Sequence, residues 1–394
     1  MTILIKHGTL VIGNGRVIED QDILIDDSRI TGIGEDLSDA QATDTIDASK
    51  KYVLPGFIDA HVHLLLGGEI DIYEGLRKPD PYLAIRAAEF ARASLKAGFT
   101  TLRDVGARGF VDVDLRDAIA SGITIGPRLL VSGHIISVTG GHGCFISNCE
   151  ADGPDECRKA VRRQLKGGVD LIKVTATGGV LTPRSDPGRP QFTDSELAAI
   201  VDEAHNANRK VAAHCHGAEG IKQAVRAGVD TIEHGTYADE ESLDMMVEHE
   251  TVLVSTIKSG ADLNSDDPRL AGVADFIRKK SADAHKHLES TLAQAHRKGV
   301  KVVLGTDIGT PLTQHGHNAE EFGYLVGIGM STMEAIMAGT LRAAEALGIA
   351  SEVGSLEQGK QADIVIVDGN PLEDIKLLSK PECIITVLKQ GRVV

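Results

Sequence analysis

Eight short apolar runs, separated by amphipathic stretches, constrain this chain more than any other feature. Between Phe57 and Asp307 they read "FIDAHVHL", "TTLRDVG", "RLLVSG", "LIKVTAT", "KVAAHCH", "TIEHG", "VLVSTI" and "KVVLGTD". Each has the length and β-branched content of a buried strand. Helical stretches lie between most of them, among them "PYLAIRAAEFARASLKAG", "GPDECRKAVRRQLKGG", "TDSELAAIVDEAHNAN" and "AEGIKQAVRAG". Several open on Asp, Thr or Pro and close on Gly, the usual start and stop signals. Strands alternating with helices imply a parallel sheet, and eight repeats close a (β/α)8 TIM barrel. The ends of the chain have another rhythm. "TILIKHG", "TLVIGNG" and "DILIDDSRITGIG" near the start, and "ADIVIVDGNP" and "CIITVLKQGRVV" near the end, alternate as strands do. The expected organisation is a small β-sandwich domain from residues 1–56 and 359–394, with the barrel, 57–358, inserted into it.

Composition narrows the function. The 394 residues are 42% hydrophobic, with 41 basic against 57 acidic side chains and a net charge of −16. The acidic residues are scattered, so nucleic acid and anionic membrane surfaces are poor partners. Five cysteines without zinc-finger spacing suit a reducing compartment better than a disulfide framework. No segment approaches the ~18 apolar residues of a membrane span, and the first residues do not read as a signal peptide. The expected location is the cytoplasm.

The chemistry-bearing residues gather at one end of the strand list. His61 and His63 are one residue apart, and in an extended strand both imidazoles point the same way. Lys173 lies within the fourth run, His214 and His234 close the fifth and sixth, and Asp307 closes the eighth. These are C-terminal strand ends, the face on which barrel active sites are built. A charged Lys173 in a buried strand needs a partner. Imidazoles with a carboxylate suit zinc and leave an open position for water. His205, His216 and His249 read as core or surface histidines.

At this point the chain resembles the amidohydrolase superfamily over nearly its whole length. The carrying motifs are "PGFIDAHVHL", Lys173, His214, His234, "GTD" and "GSLEQGKQADIVIVDGNP". The resemblance implies two divalent metals: His61, His63 and Asp307 holding one, His214 and His234 the other. It implies that Lys173 is carboxylated to a carbamate bridging both. "GFTTLRDVGA", "GPRLLVSGHIISVTGGHG", "IKVTATGGV" and "TIEHGTY" are most similar to the group of imidazolonepropionase-like proteins and dipeptidases acting on Xaa-Pro or Xaa-Arg/Lys peptides.

The mechanism this implies is attack on an amide carbon by a water shared between the metals. Asp307 takes the proton and passes it to the leaving nitrogen. His142, in the glycine-flanked "GGHG" loop, is the candidate to assist the oxyanion. A dipeptide or N-acyl amino acid carries a carboxylate, for which Tyr237, Arg184, Arg189, His315 and His317 are candidate contacts. The partners expected are a small-molecule substrate and further copies of the same chain. Three other readings remain at this stage: hydrolysis of a cyclic amide or small xenobiotic amide or carbamate, a deaminase on the same scaffold, and a catalytically dead binding module. Lys173 argues against mononuclear deaminases, and the complete ligand set against the dead module.

Overall fold

The terminal strands pair as their alternation predicts. In the computed structural model, which describes residues 2–37, 42–147 and 149–394, Lys51–Pro55 lies antiparallel to Ile364–Asp368, with Val53 opposite Ile366. Thr2–Val11 joins them to Val17–Asp26 and Arg29–Gly34 on one side, while Ile384–Lys389 and Arg392–Val393 extend the other. Alternate residues of these strands, Ile3, Ile5, Ile23, Ile25, Ile364 and Ile366, bury one face in a common core. Each such side chain contributes roughly 1.5–3 kcal/mol by leaving water. The sheet belongs to a compact unit formed by Met1–Asp59, Arg92–Leu102 and Gly316–Val394.

The second unit, Ala60–Ala91 and Arg103–His315, carries the barrel ends of the strands. The eight runs become strands at Phe57–Val62, Phe99–Asp104, Arg128–Val131, Leu171–Thr175, Lys210–Gly217, Thr231–Tyr237, Val252–Val254 and Val302–Val303. From the fourth to the eighth they pair in parallel, each with the next. The ring closes through backbone bonds: Ala60 N to Leu304 O at 3.0 Å, Val105 N to Val62 O at 3.1 Å, Ser132 N to Asp104 O at 3.2 Å and Asp170 N to Val131 O at 2.8 Å. The fold is a (β/α)8 barrel with an antiparallel sheet from the termini.

The helices start and stop where the punctuation says. Thr193 and Glu196 form a capping box on Asp194–Asn206, and Gly168 and Gly228 end Gly153–Gly167 and Ala218–Ala227 in the left-handed conformation. Among the described residues no helix is long and apolar enough to cross a membrane. All five cysteines are free thiols.

Candidate metal centre

The alternation of the first barrel strand puts His61 and His63 on the cavity side, their rings 5.4 Å apart. Both Nε2 atoms stand 3.4 Å from Asp307 Oδ1. His234 approaches from the sixth strand, 5.0 Å from the His61 ring and 4.7 Å from the His214 ring. Ligand atoms of His61, His234 and Asp307 fall within 4.8 Å of one another, and so do those of His214, His216 and His234. Lys173 lines the same cavity. All six residues expected as ligands therefore meet, and His216 joins them.

Strand ends aim these side chains at a cost. His234 and Asp307 have positive φ values, 73° and 55°, and so does Thr256, at 56°. Such a backbone costs roughly 1–3 kcal/mol per residue outside glycine and persists where surrounding structure dictates it. Thr256 Oγ1 lies 2.8 Å from His234 Nδ1, so one strained residue orients the other's ring.

Behind His61 stands a relay that the sequence reading missed. His61 Nδ1 is 2.6 Å from Glu233 Oε2, with both side chains essentially sealed from solvent. Arg103 donates to both Glu233 oxygens at 2.8 and 2.9 Å, and also to the carbonyl of Ala60. Burial pushes the Glu233 carboxyl up, but Arg103 and His61 outweigh it and hold it below the usual carboxylate range. The carboxylate therefore accepts a hydrogen bond from Nδ1–H, which keeps the proton on Nδ1 and leaves the Nε2 lone pair facing the cavity. Glu233→Gln should weaken metal binding about 10- to 100-fold, read by competition with a chelator; unchanged affinity would show that His61 orients without Glu233.

The residues fit a pair of cations. Lys173 Nζ and His63 Nδ1 are buried with no hydrogen-bond partner, a rare condition for buried polar atoms. Burial lowers Lys173 to about 8. It also lowers His63, and it carries His214 and His234 well below the ordinary histidine value, with neighbouring imidazoles adding to the effect in the last two. Neutral imidazoles are ligands rather than ion-pair partners. Burial raises the Asp307 carboxyl, but the imidazoles of His61, His63 and His234 around it outweigh that and hold it well below the usual carboxylate range.

The expected substrate contacts divide. His142 is buried, its ring 4.4 Å from that of His214. A side chain at Gly179 would collide with that ring, so the glycine permits the close approach of the two loops. Burial lowers His142 to about 3, so it is neutral. Thr182 Oγ1 lies 2.8 Å from its Nδ1 and also accepts from Gly143 N.

Tyr237, Arg184 and His315 do not line the cavity. The Tyr237 hydroxyl donates to Asp283 at 2.8 Å, in a separate cleft shared with Arg184. His315 donates from Nε2 to the Leu66 carbonyl at 2.8 Å and stacks on Phe90 at 4.6 Å, a structural arrangement. Arg189 and His317 are exposed and face Asp186 and Glu320. His205 and His249 lie at the surface, whereas His216 does not: it is buried, stacked on His234 at 4.8 Å, with Nδ1 2.7 Å from Thr236 Oγ1.

A (β/α)8 barrel with imidazoles, a carboxylate and a lysine at its strand ends defines a metal-dependent hydrolase. Residues 52–394 match the amidohydrolase family, and the chain belongs to that family. It is similar to the ochratoxinase of Aspergillus niger, 32% identical over 428 residues that span 99% of this chain and 86% of the relative. A crystal structure of a Xaa-Pro dipeptidase with methionine bound in its active site is 37% identical, with a TM-score of 0.91 and coverage of 100% of both chains. A prolidase complexed with N-methylphosphonate-L-proline is 31% identical, with a TM-score of 0.92 over 100% of this chain and 99% of the other.

Proposed function

We propose that this chain hydrolyses the amide bond of dipeptides or N-acyl amino acids, Xaa-Pro dipeptides among them. The observation that carries this reading is the ring of donors around an unpartnered Lys173 Nζ, and the likeness to a Xaa-Pro dipeptidase supports the substrate class. His61, His63 and Asp307 would hold one divalent metal, His214 and His234 a second, and Lys173, as a carbamate, would join them. Zinc suits this imidazole-rich set. Bound metals supply Lewis-acid polarisation of the substrate carbonyl and lower the pKa of water toward ~7.

The protein's own groups do the rest. His61 and His63 both approach Oδ1 of Asp307, so Oδ2 is the oxygen left to take the proton of the attacking water and return it to the leaving nitrogen. An amine leaves only once protonated. His142, neutral, would donate to the developing oxyanion from Nε2 in the tautomer in which the Thr182 hydroxyl donates to its Nδ1.

The test is a screen of the zinc-loaded protein against Xaa-Pro, Xaa-Arg and N-acyl amino acids, with metal counted alongside. Turnover of at least one class with about two metals per chain is expected. Undiminished turnover after chelation would end the metal reading, and turnover of cyclic amides alone would end the substrate reading.

A further inference from the structure

The second metal of the proposed pair would have two imidazoles, His214 and His234, and would depend on a modified lysine for its next ligand. A third imidazole stands beside them. The strand Lys210–Gly217 puts His216 on the same face as His214, two residues on, and both line the cavity. The three ring centroids form a nearly equilateral triangle, with His214 to His216 at 4.6 Å, His214 to His234 at 4.7 Å and His216 to His234 at 4.8 Å. Three imidazoles bound at about 2.0–2.1 Å to one tetrahedral cation would have their centroids about 5 Å apart, so the triangle is within about half an ångström of that size.

Where the ring nitrogens point matters more than spacing. Each ring is held from behind through one of them: His214 Nε2 is 3.2 Å from the Gly178 carbonyl, His234 Nδ1 is 2.8 Å from Thr256 Oγ1, and His216 Nδ1 is 2.7 Å from Thr236 Oγ1. Metal-bound histidines are held in the same way, by an outer partner on the nitrogen that does not bind. A carbonyl only accepts, so neutral His214 carries its proton on Nε2 and turns the lone pair of Nδ1 inward. That Nδ1 faces His234 Nε2 at 2.9 Å, and one ligand atom from each of the three residues lies within 4.8 Å of the others. His216 is thus built as its two neighbours are.

We propose that His214, His216 and His234 form a three-imidazole site for one divalent cation of the zinc and cobalt(II) class, and that this site fills without Lys173. Three imidazoles with an open fourth position are a sufficient set for zinc. The proposal rests on the metal-dependent reading above and adds a ligand to it. Without a bridging anion two neighbouring cations repel each other, so the three imidazoles compete with His61, His63 and Asp307 for a single ion.

The experiment takes Lys173→Ala protein, freed of metal, and adds about half an equivalent of zinc, so that only the tightest site fills. X-ray absorption at the zinc edge counts the bound imidazoles, and competition with a chelator gives the affinity. Three imidazoles are expected. Lys173→Ala/His216→Phe keeps a ring of similar size without a lone pair, so the count should fall to two. Its affinity should fall at least ~10-fold, since losing a ligand costs no less than losing an outer partner. The count on Lys173→Ala needs no change at residue 216, so it decides the matter even where the double variant does not fold. Two imidazoles on Lys173→Ala, or equal affinity in the two variants, overturns the proposal. So does an absence of bound zinc in Lys173→Ala when the wild type in bicarbonate binds about two ions, a result that leaves the two-metal reading standing. Failure of the wild type to bind zinc overturns both.

Discussion

Asp307→Asn is expected to lower turnover at least ~100-fold while most of the metal stays bound. Asparagine keeps a carbonyl oxygen that can meet His61, His63 or a cation, but it cannot accept a proton at neutral pH. The backbone should tolerate the change, because Asp307 sits at φ 55° and asparagine is among the few residues at ease there. What is lost is then the proton transfer, worth roughly 10²–10⁴-fold in rate, or about 3–5 kcal/mol of barrier. The Michaelis constant should move far less than kcat, since in the proposed mechanism the carboxylate would act on the reacting water and not on the bound substrate. Metal analysis beside the kinetics separates the two roles. A variant that retains its metals and turns over normally would transfer the proton to another group, with His142 and His216 the cavity histidines to test next.

The residues that were legible in the sequence share one physical property: strand periodicity decides where they point. His61 and His63 face one way because the period is two, and Lys173 stands out because a cation in a buried strand must be compensated. "HCH" repeats the spacing of "HVH", so His216 shares a face with His214 and enters the cavity, where it had been read as a core or surface histidine. Glu233 in "TIEHG" and Arg103 in "TTLRD" are buried charges as plain as Lys173, and they pair with each other behind His61.

Loop residues follow no such rule. Tyr237 ends the sixth strand and Arg184 lies in the loop after the fourth, yet that loop folds back and is stapled by Lys280, which donates to the carbonyls of Gly179, Thr182 and Ser185. That stapling involves a helix about a hundred residues further along, and no local pattern announces it. The cavity face of the helix Asp275–Lys298 was hidden for a related reason. "KKSADAHKHLES" reads as a solvated helix, and only tertiary packing shows that Ser281, Ala284, His285 and Leu288 face the cavity.

Lys173→Ala carries the other large effect: metal content and turnover should fall together, the latter by at least ~100-fold. The Lys173 Nζ is buried with no hydrogen-bond partner. A buried ammonium among neutral imidazoles would be costly, and burial has already lowered this amine to about 8. Its uncharged fraction is then roughly a tenth at pH 7 and about half at pH 8. Only the free amine can attack carbon dioxide, losing a proton as it does so, and the proposed carbamate would be an anion among the donors that would hold two cations. Metal loading of the apoprotein in bicarbonate should therefore quicken as the pH rises from 7 toward 8, and slow when carbon dioxide is removed. Alanine leaves room for a short carboxylic acid, which should restore part of the metal content and part of the activity by supplying the missing anion. Should Lys173→Ala keep its full metal content and its turnover, the lysine is not the bridge. The unpartnered Nζ would then need another explanation, such as a direct contact with substrate, that predicts a raised KM with the metals in place.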